Sequence, residues 1–420
     1  LTVRTTDVWT TRPRLNVRAS GNNSVGFEER NFLGTGRSIS LSVASDLGVL
    51  AAVAQVSDPF FLGRDIAANL RYASYGDGRS LRGLLQNRER SVYDSWRNTI
   101  FFSTSRRAAD LDTSVYTLNR DAGTVLVGPR IAADPRRVWY ALAGIEYENT
   151  ALHVDNAASL VGPEDVDRRF RGIDLGLGRR TARYAAIDWL VPRKTLVDVP
   201  LGFEQETVLG LGREEVVGEA MLHGDSWFGR MFLPSPTALV VADGWLSGYF
   251  TAHDLLNGSM RGSLATFVAA PGGQWMARVA GERLFEPDPD VRALATIDPL
   301  VRFISPSTRL AETGFTASVE RSWHVWDRLS SFAIDGALFT TYSRREGNFG
   351  PDADAESAVF AAVVGVGIRI VPTTSGVGPG RVDLVYPLAR SSTLPRRLFL
   401  SLNVAPWLGG NRHRDAYRER

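Results

Sequence analysis

The side chains of this chain that could do chemistry are charged residues set into alternating segments near its C-terminus. Asp335 lies on the polar side of residues 328–344, and Glu320 lies on the polar side of the segment before it. A carboxylate in such a position can pair bidentately with an arginine, which ties two parts of a chain together. These residues therefore indicate anchoring chemistry, in which no bond is made or broken.

No arrangement typical of an enzyme or a metal site occurs in the sequence. The five histidines lack ligand spacing such as H-E-x-x-H, no G-x-S-x-G turn is present, and no glycine-rich loop precedes Lys194. Cysteine is absent, which excludes disulfides, thiolate chemistry and Cys-ligated metal. The run Asp352, Asp354 and Glu356 lacks the rest of an EF-hand and is interpreted as a solvated acidic loop. We therefore expect no enzyme activity, metal or cofactor.

The elements that position the carboxylates are four consecutive alternating segments between residues 328 and 404. Apolar residues recur at every second position in each, which predicts β-strands. The opposite sides mix small residues with Ser, Asn, Asp and Arg. The apolar sides comprise Phe332, Ile334, Leu338, Val364, Val366, Ile368, Ile370, Val382, Leu384, Tyr386, Leu388, Leu398, Leu400, Leu402 and Val404. This division is typical of a transmembrane β-barrel with one face on lipid and one on a lumen.

Bulk composition narrows the alternatives without deciding among them. Charged residues make up 22% of the 420 residues and the net charge is +2, which argues against a nucleic-acid-binding protein. The mean hydropathy of -0.10 is too polar for a helical membrane protein. No apolar run of about 18 residues exists, so a spanning helix is not expected. A soluble β-sandwich would have a similar composition.

Beyond these segments, the pattern divides the chain into a linker, a run of strands and a tail. We expect a linker at 1–13, a first strand at 15–20, a barrel over 14–404, and a charged tail at 405–420. Residues 286–312 hold four prolines, at positions 287, 289, 299 and 306, and are predicted to form a long loop. Because Leu1 is not a start methionine and no signal peptide follows, we expect an export signal and a periplasmic region upstream.

Four segments, taken in chain order, resemble the BamA/TamA-type outer-membrane assembly barrels. They are Gly26–Val43 with its Asn31-Phe32-Leu33-Gly34-Thr35-Gly36 turn, Asp58-Pro59-Phe60, the strand around Asp335, and Gly365–Arg369 followed by Arg381–Leu388. The resemblance spans almost the whole chain. It implies an all-β barrel of sixteen strands, with eighteen to twenty as the alternative, and a long extracellular loop folded into the lumen. It also implies POTRA domains upstream.

The resemblance further implies a contact that holds the loop inside the barrel. The family's loop tip, Val-Arg-Gly-Phe/Tyr, matches residues 300–304, where Phe303 replaces the glycine. Arg302 would then pair with Asp335, with Glu320 as a second candidate partner. The alternative is that Asp335 faces lumen water. A competing loop motif is Met260-Arg261-Gly262.

The strand around Asp335 departs from the family's motif at two positions. Ala333 and Ala337 stand where that motif has Phe and Gly. Arg369 and Arg381 are interpreted as part of a solvated lumen lining.

The first and last strands of a barrel must close on each other, and the family implies that this seam is weak. The residues assigned to it are Leu15, Val17, Ala19, Leu398, Leu400 and Leu402. A weak seam would let a client strand add to the sheet edge. An ordinary closed seam, as in a porin, is the alternative.

The resemblance therefore implies insertion or assembly of other proteins in the bacterial outer membrane. The expected partners are outer-membrane lipid and lipopolysaccharide, unfolded outer-membrane protein clients, and periplasmic accessory proteins reached through upstream domains. No nucleic acid is expected. A two-partner-type secretion translocator and a passive porin remain as alternatives.

Overall fold

The structure is a computed structural model in which most of the chain can be described. The described residues are 11–16, 24–46, 49–76, 78–87, 94–111, 114–154, 166–181, 183–190, 197–216, 218–251, 255–285, 313–326, 332–346, 359–372, 380–389 and 398–404. The predicted loop 286–312, with Arg302, lies outside them, as do the acidic run at 352–356 and the tail at 405–420.

The described residues of the first half of the chain form ten strands of 6 to 21 residues. They are β1 (Thr11–Asn16), β2 (Ser24–Phe32), β3 (Arg37–Asp46), β4 (Val49–Asp58), β5 (Ile66–Tyr75), β6 (Gly78–Asn87), β7 (Trp96–Leu111), β8 (Ser114–Asp134), β9 (Arg137–Val154) and β10 (Val166–Thr181). A short 3-10 helix, Phe61–Gly63, follows β4. No helix among the described residues is long and apolar enough to cross a membrane.

The described residues of the second half add two strands of four residues each, which are β11 and β12, and ten further strands. They are β11 (Tyr184–Ile187), β12 (Val197–Pro200), β13 (Gly202–Glu214), β14 (Ala220–Ser235), β15 (Ala238–Phe250), β16 (Leu255–Ala270), β17 (Gly273–Phe285), β18 (Thr313–Trp326), β19 (Phe332–Glu346), β20 (Val359–Pro372), β21 (Gly380–Ala389) and β22 (Phe399–Val404). Strands β11 and β12 pair only with each other, as a separate two-stranded sheet.

The other twenty strands form one antiparallel meander. Each pairs with the strand before and after it, and β10 pairs directly with β13 across the β11–β12 insertion. The sheet curls round so that its two ends approach each other. Cα atoms of β1 and β22 lie within 8 Å of one another. With an even number of strands, the two ends run antiparallel.

The two faces of this sheet carry opposite chemistry, as the alternation predicts. On β19, Leu338 is 52% exposed on the outer face, whereas its neighbour Ala337 is fully buried on the inner one. The same contrast recurs on β20, where Ile368 is exposed and Arg369 is buried. Large exposed apolar side chains line the outer face from β2 to β22. A belt of this extent needs an apolar medium around it, which confirms the predicted transmembrane β-barrel.

The strands differ from the prediction in three respects. The sheet has twenty strands among the described residues, which matches the alternative of eighteen to twenty and exceeds the sixteen that the resemblance implied first. The first described strand is Thr11–Asn16, so it begins inside the predicted linker, and residues 17–20 of the predicted strand lie outside the described residues. The longest strand, β8, was not predicted. Its run Asn119-Arg120-Asp121 breaks the apolar alternation. A strand of 21 residues exceeds the roughly 9–11 needed to cross a bilayer, so part of it needs no lipid-facing side.

The small β11–β12 sheet lies against the inner face of the barrel wall. Ile187, Leu190 and Val199 pack with Leu239 of β15 and Phe267 of β16 in one buried apolar cluster. Trp189 anchors the insertion by donating its Nε1 hydrogen to the carbonyl oxygen of Pro236 at 2.8 Å. The insertion therefore covers the inner face of the wall beside the turn between β14 and β15.

Candidate functional site

The seam, defined here as the junction between β1 and β22, is the place where the meander lacks a ladder. Strand β1 pairs with β2 through six residues, and β22 pairs with β21 through six. Between the described residues of β1 and β22 no backbone pairing occurs, although the strands approach each other. Short terminal strands with unpaired edges are weak points of a sheet and accept added strands.

The residues predicted for the seam are placed only in part. Leu398 and Leu400 are exposed on the outer face and belong to the apolar belt, so their side chains do not point across the junction. Leu15 and Leu402 lie on β1 and β22. Val17 and Ala19 lie outside the described residues.

Next to the seam, two buried and two half-buried charged residues form what we call the inner ion network: Arg369 on β20 and Asp383 on β21 are buried, and Glu320 on β18 and Arg381 on β21 are half-buried. Arg369 donates to Glu320 through Nε at 3.1 Å and Nη2 at 2.9 Å. Arg381 donates to Glu320 Oε2 at 3.0 Å and to Asp383 Oδ2 at 3.2 Å. Arg369 Nη1 also donates to Asp383 Oδ1. Each carboxylate thus binds both guanidinium groups, and the network has no net charge.

The network spans β18 to β21 because small residues of intervening strands leave room on the inner face. Ala337 of β19 pairs with Gly367 of β20, and Gly367 pairs with Asp383 of β21. A Cβ on Gly367 would clash with Asp383 Oδ1 and lie 2.7 Å from Arg369 Nη1. Phe339 lies below the network, with the Arg369 and Arg381 guanidinium carbons 5.7 and 5.6 Å from its ring centroid. The burial of Arg369 corrects the prediction that this arginine lines a solvated lumen, whereas Arg381 is only half-buried.

The two predicted anchoring carboxylates have partners other than the predicted one. Asp335 Oδ1 lies 3.1 Å from His324 Nδ1 on the neighbouring strand, and Glu320 is held by the network. The pairing of Asp335 with Arg302 stays a prediction. The competing motif Met260-Arg261-Gly262 is not a loop tip: it lies within β16, where Arg261 Nε donates to Glu282 Oε1 at 2.7 Å.

The two family-like turns near the N-terminus lie side by side at one end of the barrel. In the first, Asn31 Oδ1 accepts a hydrogen bond from the Gly36 backbone at 2.7 Å, and Gly34 and Gly36 have φ of 71° and 73°. In the second, Asp58 Oδ1 accepts from the Phe60 backbone at 2.8 Å. An ion pair of 2.8 Å between Arg37 Nε and Asp58 Oδ2 joins the two turns.

A second set of buried polar residues, which the sequence did not suggest, lines the inner face of β8 to β15. Glu148 accepts hydrogen bonds from Tyr249 at 2.7 Å and Thr150 at 3.2 Å. Arg120 and Arg168 approach the same carboxylate at 3.2 and 3.4 Å. The sequence did contain one signal for these residues, because each falls on the polar side of the alternating pattern of its strand.

Comparisons with known proteins give fold-level likenesses only. No family model and no curated protein match the chain. Among solved structures, it is similar to BamA from Haemophilus ducreyi lacking POTRA domains 1-3, with 12% identity and a TM-score of 0.42 over 94% of this chain and 75% of that one. It is also similar to CdiB from Acinetobacter baumannii, with 10% identity and a TM-score of 0.35 over 94% and 59%.

The assignment of the fold rests on this chain's own strand register and on its two contrasting faces. The chain is a transmembrane β-barrel. The barrel carries the inner ion network, which has no net charge, beside the seam, where the described residues of β1 and β22 form no backbone pairing.

Proposed function

We propose that this barrel inserts or assembles other proteins in the bacterial outer membrane, and that the client strand joins at the seam. The observation that carries the proposal is the absence of backbone pairing between the described residues of β1 and β22. In hydrocarbon, an unpaired backbone N–H or C=O group costs several kcal/mol. The edges of β1 and β22 are therefore strong templates for an incoming strand.

The proposed mechanism needs no cofactor or nucleotide. A client strand pairs with one free edge, successive client strands pair with it in turn, and the energy comes from the client's own folding into lipid. The inner ion network supports this role because it ties β18, β20 and β21 together beside β22. Opening is then confined to the seam itself.

The proposed location and partners follow from the same features. The exposed apolar belt fits a lipid bilayer, and a β-barrel of this kind belongs to the bacterial outer membrane. Outer-membrane lipid, lipopolysaccharide, unfolded client proteins and periplasmic accessory proteins are the proposed partners.

Locking the seam tests the proposal, and the absence of cysteine makes the experiment clean. One cysteine at Arg14 in β1 would be combined in turn with one at Leu400, Ser401 or Leu402 in β22. In liposomes, the folding of a urea-unfolded outer-membrane protein is followed by its heat-modifiable gel mobility. We expect oxidation of a cross-linked pair to reduce assisted folding to the level of empty liposomes, and reduction to restore it.

A matched control is the cysteine pair at Leu384 and Leu400, which are Cα partners in the existing β21–β22 ladder. Its oxidation should leave assisted folding unchanged. Full assisted folding by a protein that is quantitatively locked at the seam would contradict the proposed mechanism.

A secretion translocator of the two-partner type is the second candidate, and the strand number favours it. Barrel diameter grows with the number of strands, so a twenty-stranded wall encloses more space than a sixteen-stranded one. Under this alternative, seam locking has no effect, and bilayer conductance changes only with one cognate secreted partner. The β11–β12 insertion on the inner wall argues against a passive porin.

The predicted loop anchor is tested by a double-mutant cycle. If Arg302 pairs with Asp335, Arg302→Ala and Asp335→Ala should be non-additive in the free energy of unfolding, by about 0.5–3 kcal/mol. The cycle of His324→Ala with Asp335→Ala is the positive control, since those side chains are 3.1 Å apart. Effects of the Arg302 and Asp335 substitutions that add would exclude the pairing.

A further inference from the structure

Three side chains from three strands converge on one point of the inner wall, away from the seam. They are Glu146 of β9, Asp174 of β10 and His223 of β14. One donor atom from each lies within 4.8 Å of the others. Glu146 Oε2 and His223 Nδ1 are 2.8 Å apart.

The sheet brings these residues together because the strand between them contributes no side chains there. Asp174 and His223 are both opposite Gly210 of β13. A Cβ on Gly210 would clash with Asp174 Oδ1. Glu146 is opposite Gly172, which in turn is opposite Gly212 of β13. The glycines leave a shallow depression into which the three side chains point.

The donor atoms at this point are buried and lack hydrogen-bond partners. Asp174 is 1% exposed and His223 is 7% exposed. Within the described structure, Asp174 Oδ1, Glu146 Oε2 and His223 Nδ1 have no partner of hydrogen-bond geometry, despite the short separation of the last two. Buried polar atoms are almost always bonded, so an unpartnered Asp174 oxygen beside the misaligned Glu146–His223 contact indicates a missing ligand.

Charge requires that this ligand be a cation. The two negative charges of Glu146 and Asp174 would exceed the single positive charge of a protonated His223. Asp225, which accepts a hydrogen bond from Trp245 Nε1 at 3.1 Å, adds a further negative charge nearby. The arginines of this region are already committed, because Arg120 and Arg168 approach Glu148. An ion pair with His223 alone would leave Asp174 Oδ1 without a partner.

We propose that Glu146, Asp174 and His223 bind a divalent transition-metal ion of the zinc type. One imidazole nitrogen and two carboxylate oxygens are ordinary zinc ligands, and a water completes a four-coordinate site. Calcium takes six to eight oxygens and magnesium takes six ligands, which this set does not supply. The ion would join β9, β10 and β14 across the glycines of β13. This inference does not depend on the proposed function.

Aromatic neighbours hold the imidazole in place for this role. The Tyr249 ring stacks on His223, with centroids 4.6 Å apart and planes at 22°. The Tyr249 hydroxyl donates to Glu148 Oε2 at 2.7 Å, which fixes that ring. Phe170 contacts the His223 ring edge-on at 6.3 Å. Groups that orient a ligand in this way commonly support metal affinity.

Zinc loading of the folded protein tests the proposal. The barrel would be folded in detergent, stripped with a chelator and titrated with Zn²⁺, with bound metal measured by elemental analysis after gel filtration. We expect one tightly bound zinc per chain and a higher thermal unfolding midpoint with zinc than with chelator. His223→Gln and Asp174→Asn should each weaken binding by more than about tenfold.

The matched control is His324→Gln, since among the described residues His324 and Asp335 do not belong to a group of three candidate metal ligands, and its loss should leave zinc binding unchanged. If His223→Gln does not fold, the isosteric Asp174→Asn carries the test. The site would be overturned if the wild-type protein bound no more zinc than the Asp174→Asn protein. It would also be overturned if both site variants retained as much zinc as the wild type.

Discussion

Arg369→Met should lower the free energy of unfolding by about 3–5 kcal/mol, because it leaves Glu320 and the fully buried Asp383 with only one guanidinium group between them. The Arg369 side chain is 5% exposed and bonds both Glu320 and Asp383. Arg381 alone cannot balance both carboxylates. Urea titration in lipid vesicles, followed by tryptophan fluorescence, measures the change.

The matched control for this experiment is Arg171→Met. The Arg171 side chain is 65% exposed and pairs with Glu215 at 3.2 Å, and exposed ion pairs contribute about 0–1 kcal/mol. Adding Asp383→Asn to Arg369→Met should recover part of the loss, since one uncompensated charge is removed. An Arg369 variant that is no less stable than the Arg171 variant would refute the network's structural role.

Phe170→Ala is the second substitution with a large expected effect, again about 3–5 kcal/mol. Phe170 is fully buried on the inner face, and its ring lies beneath Gly172 and Gly212 and edge-on to Tyr249 at 5.3 Å. Phe170 packs against Met221 and Tyr249, whereas the glycines beside it have no side chain with which to fill the cavity that alanine would leave. The same urea titration measures the loss.

Phe360→Ala provides the comparison, because Phe360 is exposed on the outer face, where lipid fills the space left by a smaller side chain. We expect a much smaller effect there. Equal losses at the two positions would mean that the inner face is not packed as described. Phe170→Ala should also loosen the Tyr249–His223 stack and so weaken zinc binding.

The sequence predicted the faces of the strands well, since alternation has only two phases. Asp335, Ala337 and Arg369 are on the buried face and Leu338 and Ile368 on the exposed face, as their spacing indicated. A side chain two residues away along a strand must share its face, whatever the rest of the fold does.

Partnerships between strands were not predictable in the same way. Glu320 reaches Arg369 over the strand between them, and that contact depends on the strand register and on the small residues Ala337 and Gly367. The resemblance directed attention to Arg302 instead. Local spacing carries no information on which charged residues meet across a skipped strand.

The Glu146–Asp174–His223 cluster was missed for a related reason. Metal-site patterns in sequence rely on ligands close together in one element, whereas these ligands come from three strands. The usable signal was the pattern of glycines on the polar side of neighbouring strands, at Gly172 and Gly210, beside inward-facing charges.

The measurement that tests the central claim most directly is the environment of the outer face in a bilayer. Single nitroxide labels at Leu338, Ile368 and Leu384, on three neighbouring strands, can be compared with one at the inward-facing Ser343. We predict that the outward labels collide readily with oxygen dissolved in lipid and are protected from a water-soluble nickel chelate, unlike a label in an aqueous phase. Outward labels that are reached by the chelate, or shielded from both reagents as in a dry protein interior, would contradict a membrane barrel.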